Sequence, residues 1–158
     1  NDIFEVGYKY QMTDIAASIG IHQLPRIGKY WQRRKAIWYR YNKAFRDLPL
    51  FVPASPEPNT KHAYHLYTLL LDIDRLKISR DKFLDEMTRN KIGTGVHYIA
   101  LHLHPYYRDT FGYRAADFPN AGTAFERIVS LPIYSRMTEA DVQHVIDAVR
   151  AIIKQHRR

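Results

Sequence analysis

The stretch from Ile92 to Tyr107, IGTGVHYIALHLHPYY, gathers polar and aromatic chemistry around little bulk. Gly93 and Gly95 precede His97, Tyr98, His102, His104, Tyr106 and Tyr107. Glycine lets a backbone approach a ligand closely, and imidazole and phenol supply donors, acceptors and flat faces. Two further histidines, His62 and His65, lie in HAYHLYTLLLD. Imidazoles gathered near one sheet could bind zinc. The spacing matches no HExxH pattern, however, and no carboxylate stands beside them. His62 and His65 would also point to opposite sides of a strand. No metal site is therefore expected, and hydrogen-bonded or substrate-facing histidines are.

A second constellation is Gly7-Tyr8-Lys9-Tyr10-Gln11-Met12-Thr13-Asp14. A cation and two phenols precede a helix N-terminus, where unpaired N–H groups and the dipole favour anions. Either a phosphate or carboxylate contact or a plain surface turn fits. Ser79-Arg80-Asp81-Lys82 has the letters SxxK, but no SDN or KTG follows, and Ser79 stands where a helix needs its cap. No Gly-rich dinucleotide loop, Walker loop or GxSxG elbow is present.

The positioning elements follow from periodicity. Asn1 to Met12 has no helical period and reads as an extended arm. Thr13 caps a helix carrying Ile15, Ala16 and Ile19, in which Ala16, Ala17, Ser18 and Gly20 would admit another backbone. Ile27 to Leu48 repeats Ile27, Tyr30, Trp31, Ile37, Trp38, Tyr41 and Phe45 at helical spacing, a long amphipathic helix ending before Pro49. Phe51 to Thr60, with Pro53, Pro56 and Pro58, is a connector. His62 to Asp72 reads as a strand. Ser79 opens a helix ending at Asn90 or Lys91, and Gly93 to Ile99 reads as a second strand. Pro105 to Phe111 is a short helix before a Gly112 turn, and Asn120 caps a helix through Ile128. Ser130 to Tyr134 is a third strand, placed at a sheet edge by Pro132. Thr138 and Asp141 form a capping box for a final helix. Short strands packed on helices imply a two-layer α/β or α+β domain.

Composition narrows the classes. The chain has 158 residues, no cysteine and a formal charge of +8. Without cysteine there is no disulfide framework, thiolate zinc site or Cys nucleophile, which suits a reducing cytoplasm. No apolar run reaches membrane-spanning length, and no membrane partner is expected. The positive charge suits an anionic partner. It is dispersed, with Arg33-Arg34-Lys35 and the terminal basic residues the only tight groups, so no nucleic-acid partner is expected. The chain begins without Met, as a part of a longer protein would.

GYKYQMTDIAASIGIHQLPRI, HAYHLYTLLLD, RDKFLDEMTRNKIGTGVHYIALHLHPYYRDTFGY and FPNAGTAFERIVSLPIYSRMTEADVQHVIDAV together resemble the C-terminal portion of the DegT/DnrJ/EryC1/StrS family of sugar aminotransferases, which depend on pyridoxal 5'-phosphate (PLP). The resemblance runs from about Gly7 to Val149. It implies part of a fold type I PLP-dependent transferase: an inter-subunit arm and first helix (1–24), a long connecting helix (25–50) and a small α/β domain with a short, mostly antiparallel sheet (51–158). It implies a homodimer with sites at the subunit interface, and an N-terminal cofactor domain that this chain lacks. The family's Schiff-base lysine lies upstream of the motif GYKY. Lys82 has similar neighbours but sits on a helix after the wrong strand, so no catalytic residue is assigned here and the chain alone is expected to be inactive, with no covalent cofactor. By resemblance, Lys9 and Gln11 contact the cofactor phosphate. Tyr8, His97, Tyr98, His102 and Tyr107 line the nucleotide-sugar side of the cleft. The full protein would move an amino group, commonly from glutamate, to a keto-sugar nucleotide in cell-surface polysaccharide or secondary-metabolite biosynthesis. A non-catalytic interaction or regulatory domain with the same fold is the alternative.

Overall fold

The computed structural model describes residues 7–158, and residues 1–6 of the expected arm lie outside the described residues. Nine elements follow in the order α1 (Asp14–Gln23), α2 (Ile27–Phe45), β1 (Leu50–Phe51), β2 (Tyr67–Leu71), α3 (Arg80–Arg89), α4 (Pro105–Phe111), α5 (Pro119–Arg127), β3 (Ile128–Leu131) and α6 (Glu139–His156), with single 3-10 turns between some of them. The sheet order is β1-β2-β3, antiparallel throughout. This is an α/β architecture with a small sheet backed by helices.

Local chemistry explains most boundaries. The Thr13 hydroxyl accepts from the Ala16 amide at the start of α1, and the Ser79 hydroxyl accepts from the Lys82 amide at the start of α3. Ser79 is thus spent as a cap. Thr138 and Asp141 close a reciprocal capping box on α6, with the Thr138 amide donating to Asp141 Oδ2 at 2.8 Å and the Asp141 amide to Thr138 Oγ1 at 3.1 Å. Those bonds from Thr138 hold the Asp141 carboxyl below its usual range. Gly112 ends α4 at φ 68°, where a side chain would be strained.

The core lies between the sheet and helices α2, α3 and α6. Ile37, Trp38, Tyr41 and Phe45 of α2 meet Tyr67, Leu69 and Leu71 of β2, Phe83 and Met87 of α3, and Val142, Val149 and Ile153 of α6, all buried. Alternation along β2 sends Tyr67, Leu69 and Leu71 to this face. Burial pushes the Tyr41 and Tyr67 hydroxyls up, so both stay neutral; they donate to Pro132 O (3.0 Å) and Asn42 Oδ1 (2.8 Å).

Several expected elements are shorter or shifted. β2 begins only at Tyr67, because Trp31 Nε1 donates to His62 O at 2.7 Å and Arg34 Nε to Ala63 O at 3.3 Å, tying that backbone to α2. His62 and His65 are therefore off the strand. Phe51, expected to open a connector, instead joins Leu50 in a strand that pairs with Leu70–Leu71. Gly93–Ile99 forms no strand, only a bridge from Gly95 to Ser130. β3 ends at Leu131, since Pro132 has no N–H to continue the ladder. Pro119 takes the first turn of α5, so Phe118, not Asn120, occupies the cap position.

Candidate functional site

The sequence places the histidines and tyrosines of Ile92–Tyr107 together; the fold divides them between two hollows. The first opens beside β3. The backbone of Gly95 pairs with Ser130 in both directions, at 3.0 and 2.8 Å. The Ser130 side chain alternates away from Val129 and Leu131 and is buried. His97 Nδ1 lies 2.7 Å from its Oγ. The ring is then held over Gly95: a Cβ there would come within 2.9 Å of His97 Cε1. That contact is the reason for glycine at this position, whereas a Cβ at Gly93 would meet nothing within 4 Å. Tyr98 packs edge-on against His97 at 4.8 Å and leaves 75% of its surface exposed. His65, Gly93, Gly95, His97 and Ser130 line an open space of about 460 Å³. The latch thus holds the His97 imidazole beside an exposed Tyr98 phenol.

The second hollow, about 550 Å³, lies beside α4 and is lined by Leu101, His102, Tyr107, Phe111, Tyr113 and Phe118. Tyr107 stacks near Phe111 at 6.1 Å, Phe111 near Tyr113 at 5.5 Å, Tyr113 meets Phe118 edge-on at 5.1 Å, and Phe118 lies 5.0 Å from the His102 ring. His102 is only 5% exposed, and its Nε2 is buried without a hydrogen-bond partner. His104 precedes α4 without a side-chain cap bond.

Tyr8, Lys9, Tyr10 and Gln11 form a third region. All four are exposed, and the Tyr8 and Tyr10 rings lie 5.7 Å apart. Within the chain these residues meet neither hollow wall. An ammonium, an amide and two phenols ahead of α1 suit the oxygens of a phosphate. The residues fit a contact to PLP phosphate. Among the described residues no group of three or more histidines and carboxylates is placed to hold a metal ion.

α1 itself buries none of its residues. Met12, Ile15, Ile19, Ile21 and Leu24 are 58% to 77% exposed. A helix that is apolar on more than one side is stable only when covered.

Sequence reasoning missed Ser130, Phe111, Tyr113 and Phe118 as wall residues. A lone polar residue between Val129 and Leu131, and the four-residue spacing of Tyr107 and Phe111, were the available signals.

The fold superposes on part of an aminotransferase from Streptoalloteichus hindustanus with a TM-score of 0.81 at 26% identity, covering 98% of this chain and 40% of that one. The chain belongs to the DegT/DnrJ/EryC1/StrS aminotransferase family, which matches residues 1–150. It is 52% identical over 156 residues to an uncharacterised protein of Methanocaldococcus jannaschii, covering 99% of this chain and 40% of that protein. It is 42% identical over 149 residues to the spore coat polysaccharide biosynthesis protein SpsC of Bacillus subtilis, covering 94% of this chain and 38% of SpsC. The PLP-form of a protein from Streptococcus pneumoniae assigned as a sugar aminotransferase superposes with a TM-score of 0.83 at 28% identity, covering 98% of this chain and 39% of that one. The chain therefore spans about two fifths of the length of the relatives it matches.

Proposed function

We propose that this chain is the C-terminal portion of a PLP-dependent nucleotide-sugar aminotransferase of polysaccharide or secondary-metabolite biosynthesis. In it, residues 1–24 reach a neighbouring subunit, 25–50 connect, and 51–158 cover the cleft. Family membership over residues 1–150 carries this reading. The uncovered faces of α1 and of residues 7–12 support it, since they suit a second copy of the protein.

PLP, when bound, supplies the electron sink that lets an amino group change carbon. The residues of this chain do the rest of the holding. Lys9 and Gln11 meet the phosphate of the cofactor bound by the other subunit. Tyr8 and Tyr98 donate hydroxyl protons to anionic oxygens of the nucleotide-sugar. His97, fixed by Ser130, orients its remaining ring nitrogen toward the substrate at no further entropic cost. His102 and Tyr107 bound the far end of the cleft. The positive balance of the chain favours both phosphorylated ligands. Proton transfer at the reacting carbon needs a base from outside these residues.

The test is the half-reaction with the full-length protein, PLP and glutamate. Release of 2-oxoglutarate, followed by amination of a keto-sugar nucleotide, is expected. A full-length protein that binds no PLP would overturn the proposal and favour an interaction or regulatory role.

A further inference from the structure

The basic residues at the end of the chain have no part in the proposed function, and the structure sets them around a third hollow. Arg150, Lys154 and Arg157 follow one another at intervals of four and three, which puts them on one stripe at the end of α6. They line a pocket of about 370 Å³ whose apolar side is formed by Leu48, Pro49 and Ile153. This pocket shares no residue with the hollows beside β3 and α4. One carboxylate lines it, Asp47, and Arg150 occupies both of its oxygens: Nη1 donates to Oδ1 at 2.8 Å and Nη2 to Oδ2 at 2.9 Å. The charge of Arg157 lies near enough to add to those bonds in holding the Asp47 carboxyl below its usual range. Lys154 and Arg157 are exposed, and the ion pairs among the described residues leave both of them out.

The ordinary task of a cation at a helix C-terminus is to meet its free carbonyls. Other groups perform that task here. Arg150 Nη1 donates to Ala44 O, the Leu48 amide to Phe45 O at 3.1 Å, and the Lys77 amide to His156 O at 2.8 Å. Like charges at these spacings repel one another, a cost that a bound anion reverses. No aromatic ring lines the pocket, so it gives a nucleobase no stacking platform. Two unanswered cations in one concavity match a single doubly charged group rather than the run of phosphates along a nucleic acid. We propose that this pocket is an anion site for a phosphate group, free or carried on a small ester. Lys154 and Arg157 supply the charge, the Arg150–Asp47 pair forms a fixed side, and Leu48, Pro49 and Ile153 leave room for the organic part of an ester.

The full-length protein, loaded with PLP, is treated with an amine-acylating reagent, and mass spectrometry follows the rate at each lysine. Inorganic phosphate and glucose 1-phosphate are the probes, against sodium chloride at equal ionic strength. At saturation a probe should slow acylation of Lys154 about fivefold or more by occupancy. Lys82, exposed on α3, should change by less than about twofold, the effect of screening alone. Arg157→Gln should raise the midpoint of Lys154 protection about tenfold, the loss expected for one charge-assisted hydrogen bond. Its exposed position keeps the fold, which an unchanged Tm checks. A lower midpoint for glucose 1-phosphate assigns an ester as the ligand, and an equal or higher one assigns free phosphate. Acylation of Lys154 at one rate at every probe concentration would overturn the site. So would equal slowing by chloride or at Lys82, or an unchanged midpoint in Arg157→Gln. Protection is read without amino transfer, so its failure leaves the enzyme reading as it stands.

Discussion

Helices α1 and α6 are both rich in aliphatic residues, and the fold treats them in opposite ways. α6 buries Val142, Val145, Ile146, Ala148, Val149, Ile152 and Ile153 against α2, α3 and the sheet. α1 buries nothing, although Ile15, Ile19 and Ile21 are as apolar as any residue of α6. α6 is amphipathic: its charged residues, Glu139, Asp141, Asp147, Arg150 and Lys154, fall on the side away from the core. α1 has no such division: Asp14, Ser18 and His22 form one narrow stripe, and isoleucines flank it on both sides. An element patterned for one neighbour folds within the chain, and an element apolar on several sides waits for cover from outside. The difference separates the part of the molecule that makes a domain from the part that makes an assembly.

The largest expected effect lies in α6. Ile152→Ala should cost about 2–5 kcal/mol in urea unfolding. Ile19→Ala in α1 should change the chain's own stability by less than about 0.5 kcal/mol, while weakening association of the full-length protein in sedimentation. Equal destabilisation by the two changes would erase the contrast.

The latch beside β3 gives a smaller effect. Ser130→Ala should cost about 1 kcal/mol for the lost bond to His97. Gly95→Ala should dislodge the same ring by contact with its Cε1. In the full-length protein both should raise KM for the nucleotide-sugar more than they lower kcat. A kcat loss without a KM change would mean that His97 acts on the reacting atoms.

The smallest effect concerns pH. Asp47 is held below its usual carboxylate range by the hydrogen bond from Arg150, and Glu139 by that from Arg33. These pairs tie α6 to α2 and the turn after it. Since the folded values are lowered, the contribution is full above the ordinary carboxylate pKa of about 4 and is lost as pH falls through the folded values. Both groups are exposed, so the effect should be modest and weakened by salt. Tm should fall between pH 6 and pH 3, and Arg150→Gln should reduce that fall. An unchanged difference would remove the pair from the ledger.

The helices were legible in the sequence because of their periodicity, and several carry their own boundary signals. Thr13, Ser79 and Thr138 name three starts, and Gly112 names an end. The strands were less so. His62–Leu66 has the letters of a strand, yet Trp31 and Arg34 capture its backbone, a contact 29 to 31 residues away that no local pattern reveals. Gly93–Ile99 failed for a similar reason: one bridge to Ser130 replaces a ladder. The site was half legible. Residue types marked Ile92–Tyr107, but its separation into a latch and an aromatic hollow depends on Ser130, Tyr113 and Phe118, which are distant in the chain or carry no chemistry alone.

Reductive trapping tests most directly whether these residues supply walls and phosphate contacts, with the covalent lysine elsewhere. The full-length protein is loaded with PLP, reduced with borohydride and digested. A single pyridoxyl-lysine outside residues 7–158 is the expected result, with Lys9 and Lys82 unmodified. Stoichiometric labelling of any lysine within this chain would contradict it.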